Sequence, residues 1–122
     1  MSQNKPIILL DPYPRTMDLL FSKENLKYLK NNFKLITAPN KNKNNFYEKN
    51  LPKADYIFGQ PNLPSSLISK STKLKAIFNV ESNFMDNMDY DYCFRKGIHV
   101  LATSPVFAQP VAEMAMGLTL SI

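Results

Sequence analysis

At 122 residues with 44% hydrophobic content, the chain can hold one domain with a real core, and its composition excludes wholesale disorder. The formal charge of +5 comes mainly from Lys23 to Lys53, where eight lysines face only Glu24 and Glu48. Only two arginines are present, Arg15 and Arg95, and the lysines alternate with asparagines instead of stacking aromatics, so the stretch reads as a solvated face and no nucleic acid is expected as partner.

The N-terminal MSQNKPIILLDP carries one lysine and a short apolar run stopped by Asp11, which is neither a signal peptide nor an anchor. Pro6–Leu10 is compact and apolar and reads as the first strand, ended by Asp11-Pro12-Tyr13-Pro14. Leu19, Leu20, Leu26, Tyr28, Leu29 and Phe33 follow at mixed helical spacing, interrupted near Ser22. Lys34–Ala38 is the second strand. The polar run from Pro39 to Asn50 is expected as a surface loop with one helical turn near Phe46–Lys49.

Ala54–Phe58 gives a third strand, closed by Gly59-Gln60-Pro61, and Ser65 or Ser66 can start a short helix anchored by Leu63, Leu67 and Ile68. Two further β-rich runs, Ala76–Val80 and Ile98–Ala102, bracket a helix that Asp89 or Asp86 can cap and that carries Cys93 and Phe94. Lys96 suits the negative end of that helix and Gly97 offers the left-handed stop. Strand, helix and strand at this spacing require a parallel pair with a right-handed crossover. The whole alternation predicts an α/β fold, a flavodoxin-like doubly wound parallel sheet in strand order 2-1-3-4-5.

Pro110 suits a first helical turn, and Val111 to Ile122 then follow with Glu113 as their only charge. A helix this apolar is expected to pack on more than one side, and it is too short for a membrane span, so no membrane is expected as partner. Nothing follows to bury it, which reads as a unit incomplete at its C-terminal end, with 1–105 as the domain and 106–122 as a crossing helix. The single cysteine, Cys93, permits no internal disulfide and fits a reducing, cytoplasmic setting.

In an open parallel sheet, ligands bind beyond the carboxyl ends of the strands. Those ends fall at Asp11–Tyr13, Gly59–Gln60, Glu81–Asn83 and Thr103–Ser104, and the segment Val80-Glu81-Ser82-Asn83-Phe84 is the richest of the four. Ser82 and Asn83 can donate from their side chains, and a loop offers backbone N–H groups to a carboxylate. Arg15 could present a guanidinium to an acid, though a surface residue at a helix start is the simpler reading. Asp86, Asp89 and Asp91 lack the spacing of a calcium loop and read as capping residues. His99 lies inside a strand away from its carboxyl end, and Cys93 beside Phe94 reads as packing.

Leu74–Val80, the acidic Asp86-Asn87-Met88-Asp89, Cys93–Val100 and Val111-Ala112-Glu113 occur in an order and spacing that resemble the D-isomer-specific 2-hydroxyacid dehydrogenases. The match is to the second half of that family's N-terminal substrate domain. The resemblance implies an oxidoreductase that passes a hydride between NAD or NADP and a small 2-hydroxy or 2-keto acid. It further implies that Glu81, Ser82, Asn83 and Gln60 lie on the substrate side, with Glu81, Asn83 and Phe84 standing where most members have glycine-rich sequence. A carboxylate at Glu81 would repel an acid substrate unless it points away or meets a cation. Glu113 would sit in the electropositive first turn of the helix crossing to a cofactor domain, and the family's asparagine a few residues earlier would fall at Phe107. No G-x-G-x-x-G is present, and the family's catalytic Arg, Glu and His would lie past Ile122, so the segment alone is expected to be inactive. Association with a second copy of the chain is expected. The alternative is a stand-alone flavodoxin-like ligand-binding or dimerisation module without catalysis.

Overall fold

The computed structural model describes residues 4–81 and 83–121. They form a five-stranded, all-parallel sheet in the order 2-1-3-4-5. In chain order the elements are β1 (Ile7–Asp11), α1 (Met17–Leu20), α2 (Lys23–Asn32), β2 (Lys34–Thr37), α3 (Lys43–Asn50), a 3-10 turn at Leu51–Lys53, and β3 (Tyr56–Gly59). They continue with α4 (Ser65–Ile68), β4 (Ala76–Phe78), α5 (Tyr90–Arg95), β5 (His99–Leu101) and α6 (Ser104–Leu120). The expected parallel pairing of the last two strands is observed, with Ile77 opposite Val100.

Strand alternation sorts the side chains onto two faces. Leu9, Ile57, Ile77 and Val100 point to one side and join Tyr47, Leu51, Leu63, Leu67, Ile68 and Cys93 in the buried core. Burying each large aliphatic side chain there contributes about 1.5–3 kcal/mol, so this face supplies most of the stability. Ile8, Leu10, Tyr56, Phe58 and Phe78 take the other face. Phe21, Leu29 and Phe33 meet that face from one side only, leaving an apolar groove of about 390 Å³.

Local chemistry explains the ends of the elements. Ser22 Oγ accepts from the Asn25 N–H at 3.2 Å, so this serine both interrupts the first helical stretch and caps α2. Of the two candidate caps for α5, Asp89 is the one used, its Oδ1 accepting from Tyr92 N–H at 2.8 Å. Gly97 closes that helix at φ 71°. The polar loop before the third strand is more ordered than its composition suggests. It holds the two-turn α3, because Tyr47 is driven into the core at 1% exposure.

Two expectations about the last helix need correction. It starts at Ser104, not near Pro110: Pro105 fills the first turn without cost, while Pro110 sits inside the helix and forfeits one backbone bond. Nor does the helix pack on the sheet. Its side chains are all exposed among the described residues, from Phe107 at 51% to Leu120 at 82%. No helix of the described residues is long and apolar enough to cross a membrane.

Candidate functional site at the carboxyl edge of the sheet

Because all five strands run the same way, their carboxyl ends collect along one edge. Asp11 and Gly59 are register partners there. The connection leaving β4 is tied to the connections leaving β1 and β3 by side chains and, at Leu63 and Met88, by an isolated parallel backbone bridge.

Gln60 makes two of these ties. Its Oε1 accepts from the Glu81 backbone N–H at 2.9 Å, and its Nε2 donates to the Asn83 carbonyl at 3.3 Å. Gln60 thus spans the loop from one side to the other and satisfies a backbone donor that would otherwise be open. Arg15 makes the third tie. Its Nε lies 3.2 Å from Glu81 Oε1 and its Nη2 lies 3.5 Å from Oε2. The cation that Glu81 required is therefore Arg15, and the acid does not stand as an isolated negative charge. Farther along, Asn87 Nδ2 donates to Pro61 O at 2.8 Å and the Leu63 N–H donates to Asn87 O at 2.7 Å. Tyr90 Oη closes the far side on Met85 O at 2.6 Å and on Asn87 Oδ1 at 3.0 Å, and its ring meets Phe84 edge-on. Burial pushes the Tyr90 phenol above its ordinary value.

Within this frame the backbone N–H groups of Asn83, Phe84 and Met85 make no hydrogen bond to another described residue. Asn83 is exposed, and Ser82 lies outside the described residues. Beneath the loop, Asn79 is 2% exposed and neither of its side-chain amide atoms has a hydrogen-bond partner among the described residues, while its backbone N–H donates to Leu101 O at 2.8 Å.

A second polar cluster at the same edge escaped the reading of the sequence. Asp11 is 4% exposed; its Oδ1 accepts from Lys43 Nζ at 2.7 Å and its Oδ2 from Tyr47 Oη at 3.0 Å. Lys43 also lies over the Tyr13 ring, 5.3 Å from its centroid. The carboxylate and burial together push the Tyr47 phenol far above its ordinary value, desolvation being the larger cause. The signal was present: Lys43 and Tyr47 are four apart and share a helix face, but only if the loop is read as a helix.

Other candidates fall outside the edge. His99 is an exposed residue at the first position of β5, at the opposite end of the strand. Cys93 is buried, and desolvation together with the nearby Asp89 pushes its thiol up, so it stays protonated. Glu113 sits well inside α6, not in its first turn, because the helix begins nine residues earlier at Ser104; its Oε1 accepts from Gln109 Nε2 at 2.8 Å. Phe107 is exposed. Among the described residues no group of His, Cys, Asp and Glu is placed to hold a metal ion. The three glycines lie far apart on the fold: Gly59 ends β3 against the Asp11 backbone, Gly97 follows α5 and Gly117 lies in α6.

Comparison with solved structures finds the same fold within longer chains. A phosphoglycerate oxidoreductase from Rhizobium etli superposes with TM-score 0.81 at 38% identity, over 96% of this chain and 36% of that one. A 3-phosphoglycerate dehydrogenase from Entamoeba histolytica, solved with NAD+, gives TM-score 0.68 at 18% identity over 94% and 38% of the two chains. D-mandelate dehydrogenase from Rhodotorula graminis gives 0.68 at 20% identity over 97% and 37%. The chain thus spans a little over a third of the length of these proteins. Comparison with curated protein sequences gives no match. The family model for the D-isomer specific 2-hydroxyacid dehydrogenase catalytic domain matches residues 15–120, and this chain belongs to that family.

Proposed function

We propose that this chain is the substrate-domain portion of an NAD(P)-dependent oxidoreductase acting on a small 2-hydroxy or 2-keto acid. The observation that carries this reading is the β4–α5 loop, fixed at the carboxyl edge by Gln60 and Arg15, in which the N–H groups of Asn83, Phe84 and Met85 make no hydrogen bond to another described residue. In a carboxylate complex those N–H groups, with the side chains of Ser82 and Asn83, would grip the acid. Gln60 and the backbone of Glu81 would keep the loop in shape. Held this way, the substrate's C2 is oriented and shielded from water, which is the domain's contribution to rate. The nicotinamide cofactor, NAD or NADP, would be held by a second domain. In this reading α6 is the crossing element, with 1–105 as the substrate domain, and its exposed apolar surface is covered by that second domain or by a second copy of the chain. The setting proposed is the cytoplasm.

The test is a titration of the isotopically labelled chain with glycolate and D-glycerate, followed by amide chemical shifts. Saturable shifts at residues 83–85, lost in a Ser82→Ala, Asn83→Ala double variant, are expected. Shifts spread evenly over the lysine-rich surface, with none in the loop, would overturn the reading.

A further inference from the structure

The Arg15–Glu81 pair joins the exits of β1 and β4 across 66 residues of sequence, and both partners are held by their backbones as well as by each other. Arg15 N–H donates to Pro12 O at 2.7 Å, and Glu81 N–H is bound by Gln60. Neither backbone is free to carry its charge away. Lys43, the other cation of this edge described above, is likewise committed, to the buried Asp11. Each of these cations therefore meets an acid already matched to a carboxylate.

We propose that Glu81 is a specificity-determining residue that reserves this mouth for acids with a single negative charge, by occupying the guanidinium that a second anionic group would need. The inference rests on the functional reading above. A monoanionic 2-hydroxy acid needs only the loop N–H groups, whereas Arg15 bonds the Glu81 carboxylate. A substrate bearing a phosphate or a second carboxylate must compete with Glu81 for Arg15. If it displaces that carboxylate, the tethered acid stays close by and repels it. Rejection built from a misplaced like charge is a standard route to specificity. With Glu81 made neutral, Arg15 has a fork free for a phosphate or carboxylate.

D-glycerate and 3-phosphoglycerate form a matched pair of probes, differing only in the phosphate. Their dissociation constants are measured by amide shifts of residues 83–85 in the wild-type chain, in Glu81→Gln and in the Arg15→Gln, Glu81→Gln double variant. The pair is partly exposed and Gln60 binds only the backbone of residue 81, so these variants retain the fold, which the sheet resonances check. Wild type is expected to bind glycerate at least as well as phosphoglycerate. Glu81→Gln should improve phosphoglycerate relative to glycerate by about tenfold, the worth of one charge-assisted hydrogen bond. The double variant should lose that gain. Wild type preferring phosphoglycerate with a shifted Arg15 Nε resonance, or Glu81→Gln leaving the ratio unchanged, would overturn the assignment while leaving the loop as the acid site. Absence of loop shifts with both acids in every variant would instead remove the functional reading, and this inference with it.

Discussion

Gly59 stands directly against the backbone of Asp11: a Cβ added to the glycine would lie 2.2 Å from the Asp11 carbonyl oxygen. Its φ of 151° is also one that side chains rarely adopt. Two strands thus meet at the functional edge with no room for a side chain. Gly59→Ala must push β1 and β3 apart at their register pair, and strain of this kind costs about 1–3 kcal/mol before the clash is counted. A denaturant midpoint equal to wild type would show that the edge is looser than described.

Tyr47→Phe isolates the polar half of the second cluster. The ring still fills its place in the core, while Asp11 loses one of its two donors. A hydrogen bond to a charged acceptor contributes about 1.5–3 kcal/mol, so a loss in that range is expected from urea unfolding. Little or no loss would mean that Lys43 alone satisfies the carboxylate.

Gln60→Ala removes both bonds across the loop. The stability cost is modest, about 0.5–1.5 kcal/mol per bond. The local effect is larger: hydrogen exchange at the Glu81 amide should quicken while exchange in the β3 and β4 ladders stays slow. Unchanged protection at Glu81 would assign the loop's order to Tyr90 and Asn87 instead.

Stability should fall on the alkaline side. Both Cys93 and Tyr90 have folded-state values raised by burial, so folding favours their neutral forms. That contribution is complete below the ordinary values of the two groups and is lost as pH rises through and above them. A Cys93→Ala variant should show a shallower alkaline decline, and the wild-type thiol should react with iodoacetamide only at the rate of unfolding. Fast labelling in the native state would contradict the burial of the thiol.

Met116→Lys and Leu120→Lys both place a charge on exposed positions of α6. Exposed substitutions away from packed groups change stability by about 0.5 kcal/mol or less. Reduced self-association in sedimentation at high concentration is the expected gain, since exposed apolar patches promote association. Wild type that stays monomeric at every concentration would remove the basis for it.

The sheet was legible because parallel strands buried on both faces leave unbroken apolar runs such as Ile7–Leu10 and Ala76–Phe78, and because connections follow handedness rules. The carboxyl edge was legible for the same reason, since strand direction alone decides where ligands can approach. What escaped was chemistry between distant segments. Nothing local to Arg15 announces Glu81, and nothing near Asp11 announces Lys43, whose helix is built from poor helix formers and stands because Tyr47 is buried. The start of α6 was misread because Pro105 and Pro110 are both acceptable first-turn residues, and only tertiary structure decides between them.

The exposure of every described side chain on α6 divides the chain thermodynamically. A helix of this length without tertiary contacts is marginal in water, held only by its own backbone bonds. Its order is decoupled from the cooperative unfolding of the sheet, so heat would melt the helix gradually while the sheet disappears in one step. The free energy that folds this domain is therefore stored upstream of Ser104. The terminal helix adds reach instead of strength.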